Sequence, residues 1–137
     1  MENHIPFQQR NKRFQVLIVE DNITYRTAFK NLLSARFPLI IVREAGNGED
    51  AMRKLDEFHP ELIFMDIRLP DESGLELTKK IKNLYPEIKI IILTAYNLVD
   101  YRKASIENGA DYFVPKGSTT TNDIMDLVES MISSSGI

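Results

Sequence analysis

Four segments of this chain carry side chains able to do chemistry, and each lies just beyond an apolar run. Glu20 and Asp21 follow Val16-Leu17-Ile18-Val19, and Asp66 follows Leu62-Ile63-Phe64-Met65. Thr94 follows Ile90-Ile91-Ile92-Leu93, and Lys116 follows Tyr112-Phe113-Val114-Pro115. A carboxylate at the end of an apolar strand is costly unless it is paired. Three carboxylates brought together repel, and their pKa values rise unless a cation joins them. A hard divalent ion that takes oxygen ligands and keeps some of its water suits such a set, which describes Mg2+. Lys116 adds a positive charge and Thr94 a hydroxyl donor, so the whole set suits a dianionic phosphoryl group. A carboxylate can itself attack phosphorus. Asp66, with partners expected on both sides, is the candidate.

Each of these residues has a plainer reading when taken alone. Glu20 and Asp21 would cap the following helix, and Asp66 would be an ordinary loop residue. Thr94 would be a turn residue and Lys116 a solvated surface charge. Recurrence at the ends of four apolar runs argues against four coincidences.

The elements that must position these residues follow from periodicity. Phe14–Val19 is a short, β-branched apolar run, as expected of a strand covered on both faces, and Leu39–Glu44, Leu62–Met65, Ile88–Leu93 and Tyr112–Pro115 read as four further strands. Helices alternate with them. The first runs from Ile23 to about Phe37, capped by Asn22, with Phe29, Leu32 and Leu33 inward and Pro38 beyond. The second spaces out Ala51, Met52, Leu55 and Phe58. The third has Ser73 as cap, Glu76 in capping-box position and Leu77, Ile81 and Leu84 on its inner face. The fourth, about Leu98 to Asn108, has a thin stripe of Leu98, Tyr101 and Ala104 and is expected to be loosely held. The last carries Ile124, Leu127, Val128 and Met131 at helical spacing. Five βα units of this kind predict an α/β domain on a parallel sheet, with right-handed crossovers placing helices on both faces. In such a sheet ligands bind outside the carboxyl ends of the strands. That is where the four segments lie.

Bulk properties narrow the function classes. A chain of 137 residues is one domain by size, and 43% hydrophobic with 27% charged residues is ordinary for a globular protein. Its net charge of −3 argues against direct nucleic-acid contact by this domain. The absence of cysteine excludes disulfides and thiolate chemistry. No apolar run approaches the ~20 residues that span a bilayer, and Met1–Arg10 lacks a signal-peptide core. A cytoplasmic protein without a membrane partner is expected. Residues 1–12 read as a flexible leader, 13–133 as the folded domain, and 134–137 as a tail or the start of a linker.

Val-Leu-Ile-Val-Glu-Asp-Asn at 16–22, Ile-Phe-Met-Asp-Ile-Arg-Leu-Pro at 63–70, Ile-Ile-Leu-Thr-Ala at 91–95 and Gly-Ala-Asp-Tyr-Phe-Val-Pro-Lys at 109–116 occur in this order. As a set they make residues 13–133 similar to the receiver (response-regulator) domain of two-component signalling. The resemblance implies a flavodoxin-like sheet of order 2-1-3-4-5. It implies that Asp66 is the phosphoacceptor, fed by a sensor histidine kinase. Mg2+ would be held by Asp21, by Glu20 through water, by Asp66 and by the backbone carbonyl of Arg68. Thr94 and Lys116 would bind the phosphoryl group beside the small Ala95, and Thr94 with Phe113 would form the switch that alters the surface of helix four, strand five and helix five. A core aromatic is the plainer reading of Phe113.

The Asp-Ile-Arg-Leu-Pro and Gly-Ala-Asp patterns look most like regulators that carry a helix-turn-helix, DNA-binding output domain, so control of transcription is the implied output; a stand-alone or excised domain is equally consistent. The resemblance admits homodimerisation on phosphorylation, although no residue argues for it. This sequence departs from the common pattern at Glu20, where aspartate is usual, at Gly117, where proline often brings a cis peptide, and at Phe113, which lacks a tyrosine hydroxyl. Arg68 and Tyr96, two residues beyond Asp66 and Thr94, are large enough to shield the phosphate, which predicts slow self-dephosphorylation. The alternative is a small Asp-nucleophile phosphatase of the haloacid-dehalogenase type. That chemistry wants an acid two residues after the nucleophile, where this chain has Arg68. The domain is therefore expected to be a signalling phosphoacceptor and not a turnover enzyme.

Overall fold

In the computed structural model, which describes residues 13–137, the apolar runs become β1 (Gln15–Val19), β2 (Ile41–Ala45), β3 (Leu62–Met65), β4 (Lys89–Thr94) and β5 (Tyr112–Pro115). Between and after them lie α1 (Ile23–Arg36), α2 (Gly48–Leu55), α3 (Gly74–Leu84), α4 (Val99–Glu107) and α5 (Thr121–Ser134). All strand pairs are parallel and the sheet order is 2-1-3-4-5, as expected. The leader expected over residues 1–12 lies outside the described residues.

Because side chains alternate across a strand, each strand feeds two cores. Leu17, Val19, Ile63, Met65, Ile90 and Ile92 pack with Ala51 and Leu55 of α2 and Leu77 and Ile81 of α3. Val16, Ile18, Leu62, Phe64, Ile91 and Leu93 pack on the other face with Phe29 and Leu33 of α1 and Ile124 and Val128 of α5. Register brings the carboxyl ends level: Val19 pairs with Met65, Met65 with Ile92, and Thr94 with Pro115. Glu20, Asp66 and Lys116, one step past these pairs, and Thr94, within the last of them, therefore share one edge.

Local capping follows the sequence. Asn22 accepts from Tyr25 N at the start of α1, and Ser73 Oγ accepts from Leu75 N at 3.1 Å at the start of α3. That bond goes to the second helical residue, so the capping box expected with Glu76 is replaced by a shorter cap. Several apolar assignments need correction. Leu32, Leu39 and Leu84 are exposed, because α1 and α3 already fill their contacts with Phe29, Leu33, Leu77, Thr78 and Ile81. β2 begins only at Ile41, so Leu39 belongs to the connection before it. Phe58 is buried but lies past the end of α2. Helix α5 continues to Ser134, one residue beyond the expected domain limit. Helix α4 is thinly packed, but not through the expected stripe: Ser105 is its only buried residue, Tyr101 and Ala104 are half-buried, and Leu98 is exposed just before the helix. Every peptide among the described residues is trans, including Lys116–Gly117.

Candidate functional site

Glu20 leaves β1 still tied to the sheet. Its N–H donates to Ala45 O at 3.0 Å, and its carbonyl accepts from Arg26 Nη1 at 2.6 Å. The residue is only 3% exposed. Its Oε2 accepts from Asn22 N at 3.0 Å and its Oε1 from Lys116 Nζ at 2.5 Å. Burial pushes the Glu20 carboxyl above its usual range; Lys116 and the Asn22 N–H pull the other way, while the charge of Asp66 adds to the rise.

Asp66 extends β3 in the same manner, its N–H donating to Val19 O at 3.0 Å. Oδ1 accepts from Ile67 N at 2.7 Å, and Oδ2 lies 3.3 Å from Lys116 Nζ. Lys116 reaches this point because its own N–H donates to Thr94 O at 2.8 Å, which prolongs the β4–β5 ladder. Desolvation would lower the Lys116 pKa, but the bond to Glu20 and the charges of Asp66 and Glu20 outweigh it and the pKa is raised. The ammonium also sits 4.0 Å from the centroid of the Tyr25 ring.

Asp21 is exposed at the rim. One oxygen each from Glu20, Asp21 and Asp66 lie within 4.8 Å of one another. Three carboxylates against one ammonium leave excess negative charge, and the donors are all hard oxygens. That set fits a hard divalent cation such as Mg2+.

Thr94 is fully buried, and its Oγ1 accepts from Tyr96 N at 3.3 Å and makes no hydrogen bond to Asp66 or Lys116. Ala95 is exposed beside it. The Arg68 backbone is held by an antiparallel bridge to Ser73. The Arg68 side chain is exposed, its guanidinium 3.8 Å from the centroid of Tyr96, and Tyr96 meets Tyr101 edge to face at 6.4 Å. Phe113 is buried below α4, with the Arg102 guanidinium 4.7 Å from its ring centroid. The structure thus gathers Glu20, Asp21, Asp66 and Lys116 directly and ties Thr94 to Lys116 through the backbone, whereas Arg68 and Tyr96 pair with each other and Phe113 lies under Arg102.

Three contributors escaped the sequence reading. Gly74 packs so closely on Asp66 that a Cβ there would strike the Asp66 carbonyl oxygen. Tyr25 covers Lys116, and Arg26 anchors the Glu20 carbonyl while its Nε holds Glu44 at 3.0 Å. A glycine opening a helix straight after its cap was the one signal available for Gly74. Nothing local marks Tyr25, because its partner lies far along the chain.

The acidic pocket with one lysine lies at the carboxyl edge of a flavodoxin-like 2-1-3-4-5 sheet, the place where open α/β domains bind their ligands. Residues 16–129 match the response regulator receiver domain family, and the chain belongs to it. That assignment replaces the phosphatase alternative. The chain is 39% identical over 106 residues to the transcriptional regulatory protein YdfI of Bacillus subtilis, covering 77% of this chain and 49% of that protein. It is 32% identical over 114 residues to the response regulator protein VraR of Staphylococcus saprophyticus, covering 83% and 54%. It thus spans about half the length of the curated relatives it matches. Among solved structures it is similar to the response regulator protein TrrA of Thermotoga maritima, solved in complex with Mg2+-BeF. The TM-score is 0.76 and the identity 30%, over 86% of this chain and 98% of that one. Among the described residues no helix is long and apolar enough to cross a membrane.

Proposed function

We propose that this domain is a phosphorylation-activated switch in which Asp66 accepts a phosphoryl group from the phosphohistidine of a sensor kinase. The observation that carries this reading is the Lys116 ammonium placed between Glu20 and Asp66, at 2.5 and 3.3 Å, with Asp21 at the rim. In the transfer a carboxylate oxygen of Asp66 attacks phosphorus, the P–N bond breaks, and the imidazole leaves with its electron pair. Glu20, Asp21, Asp66 and the Arg68 carbonyl would hold Mg2+. When bound, the ion neutralises the carboxylates and the charge spread over the phosphoryl oxygens. Lys116 supplies the second positive charge. The complex of TrrA with Mg2+-BeF supports the same chemistry here.

Thr94 leaves Tyr96 N to donate its hydroxyl to a phosphoryl oxygen, with Ala95 leaving room. Phe113 follows into the volume vacated, and the change passes to α4, the helix with the fewest buried residues. A weakly packed element of this kind is easily biased between two arrangements. Residues 13–133, with the last turn of α5, form the switching unit; the names of VraR and YdfI support an output in transcription through a DNA-binding domain joined to it or carried on a partner. The setting is cytoplasmic, and homodimerisation on phosphorylation is one form the output can take. Turnover is limited to the domain's own phosphorylation and dephosphorylation.

Acetyl phosphate with Mg2+ tests the core of this. A mass increase of one phosphoryl group is expected in the wild type and not in Asp66→Asn or with EDTA. Labelling that survives Asp66→Asn would overturn the assignment.

A further inference from the structure

We propose that Tyr25 is a positioning residue for Lys116, its ring holding the ammonium in place when the two carboxylates turn to other partners. Lysine has a long flexible stem, and a point charge on it must be confined to act at one place. Here Nζ has three neighbours: Glu20 at 2.5 Å, Asp66 at 3.3 Å and the Tyr25 ring at 4.0 Å. Both carboxylates belong to the set that would take up a metal ion and a phosphoryl group, so both are withdrawn at the moment Lys116 is needed. Tyr25 is neutral and stays.

The ring is itself anchored by other aromatic side chains. It stacks on Phe29 at 6.0 Å and 15°, and Phe29 meets Phe64 edge to face at 4.8 Å. Phe64 lies in β3, two residues before Asp66. The aromatic series therefore fixes the ammonium to the strand that carries the acceptor. Attraction between a cation and the face of an aromatic ring strengthens as water is excluded, and the Lys116 side chain is 15% exposed. The hydroxyl has no part in this contact, so phenylalanine should replace tyrosine.

This role rests on the phosphoacceptor reading, and the test separates the two. In the metal-free wild-type protein the Lys116 Hε protons should show an upfield ring-current shift by NMR. The shift should persist in Tyr25→Phe and vanish in Tyr25→Leu. Affinity for beryllofluoride in the presence of Mg2+ should be about three- to tenfold weaker in Tyr25→Leu and within about twofold of wild type in Tyr25→Phe. Absence of the upfield shift in the wild type overturns the contact without needing any variant. Unchanged affinity in Tyr25→Leu, or an equal loss in Tyr25→Phe, overturns the role. Failure of the wild type to bind Mg2+ and beryllofluoride would instead overturn the phosphoacceptor reading, and the role of Tyr25 with it.

Discussion

Replacing Gly74 by alanine is expected to destabilise the domain at a position where alanine ordinarily helps. Within a helix, alanine in place of glycine gains about 0.5–1 kcal/mol. At Gly74, however, the added Cβ would collide with the Asp66 carbonyl oxygen, and would stand 2.8 Å from its carbon and 3.0 Å from Ile67 Cα. The obstacle is strand-end backbone, held by the bond from Gly74 N to Ile67 O at 2.7 Å and from Asp66 N to Val19 O at 3.0 Å. It cannot swing aside. Overpacking costs about 1–3 kcal/mol, and a rigid backbone obstacle puts Gly74→Ala near 3 kcal/mol. For a domain of this size that corresponds to a fall of roughly 10 °C in Tm.

Urea unfolding followed by circular dichroism measures the difference directly, with two internal controls. A Cβ at Gly117 would have nothing within 4 Å, so Gly117→Ala should lie within about 0.5 kcal/mol of wild type. At Gly48 the nearest atom is Glu72 Oε2 at 2.5 Å, the end of a flexible side chain, so Gly48→Ala should cost less than about 1 kcal/mol. If Gly74→Ala proved as stable as Gly117→Ala, the inference that α3 is packed directly on the acceptor's peptide would be refuted.

Two further outcomes are expected. Glu44 is desolvated, which alone would raise its pKa, but hydrogen bonds from Arg26 and Lys30 lower it overall. A depressed folded-state pKa stabilises above the unfolded value of ~4.3 and loses that contribution as pH falls through the folded value. Glu44→Gln should therefore cost about 0.5–1 kcal/mol at pH 7 and progressively less in acid; a deficit independent of pH in urea titrations would contradict this. Arg68 and Tyr96, two residues beyond Asp66 and Thr94, stack on each other, so the phosphorylated form should decay slowly, over many minutes or longer, and Arg68→Ala and Tyr96→Ala should each shorten its half-life severalfold. Rapid decay, unchanged in both variants, would remove any shielding role.

Much of this protein was legible in its sequence because the relevant signals are local. Leu62–Met65 and Tyr112–Pro115 coincide with β3 and β5, since apolar runs this short between turn residues suit a strand and are too brief for a helix. Asn22 and Ser73 cap their helices because each bonds an amide two or three residues away. The exposure of Leu32, Leu39 and Leu84 was not legible. Apolarity records a tendency to be covered and does not say that a neighbour is present.

The sequence by itself determined which chemical groups stand at the strand ends, and hence that the pocket would hold acids, a hydroxyl and an amine. It also carried the motifs that placed the chain in its family. Tertiary structure alone decided how those groups meet. Lys116 lies 96 residues from Glu20 and 50 from Asp66, and only the parallel register of β1, β3, β4 and β5 brings their ends level. The same register brings Tyr25 over the ammonium. These contacts depend on distances of tenths of an ångström between segments with no local influence on one another, and only the packed core fixes them.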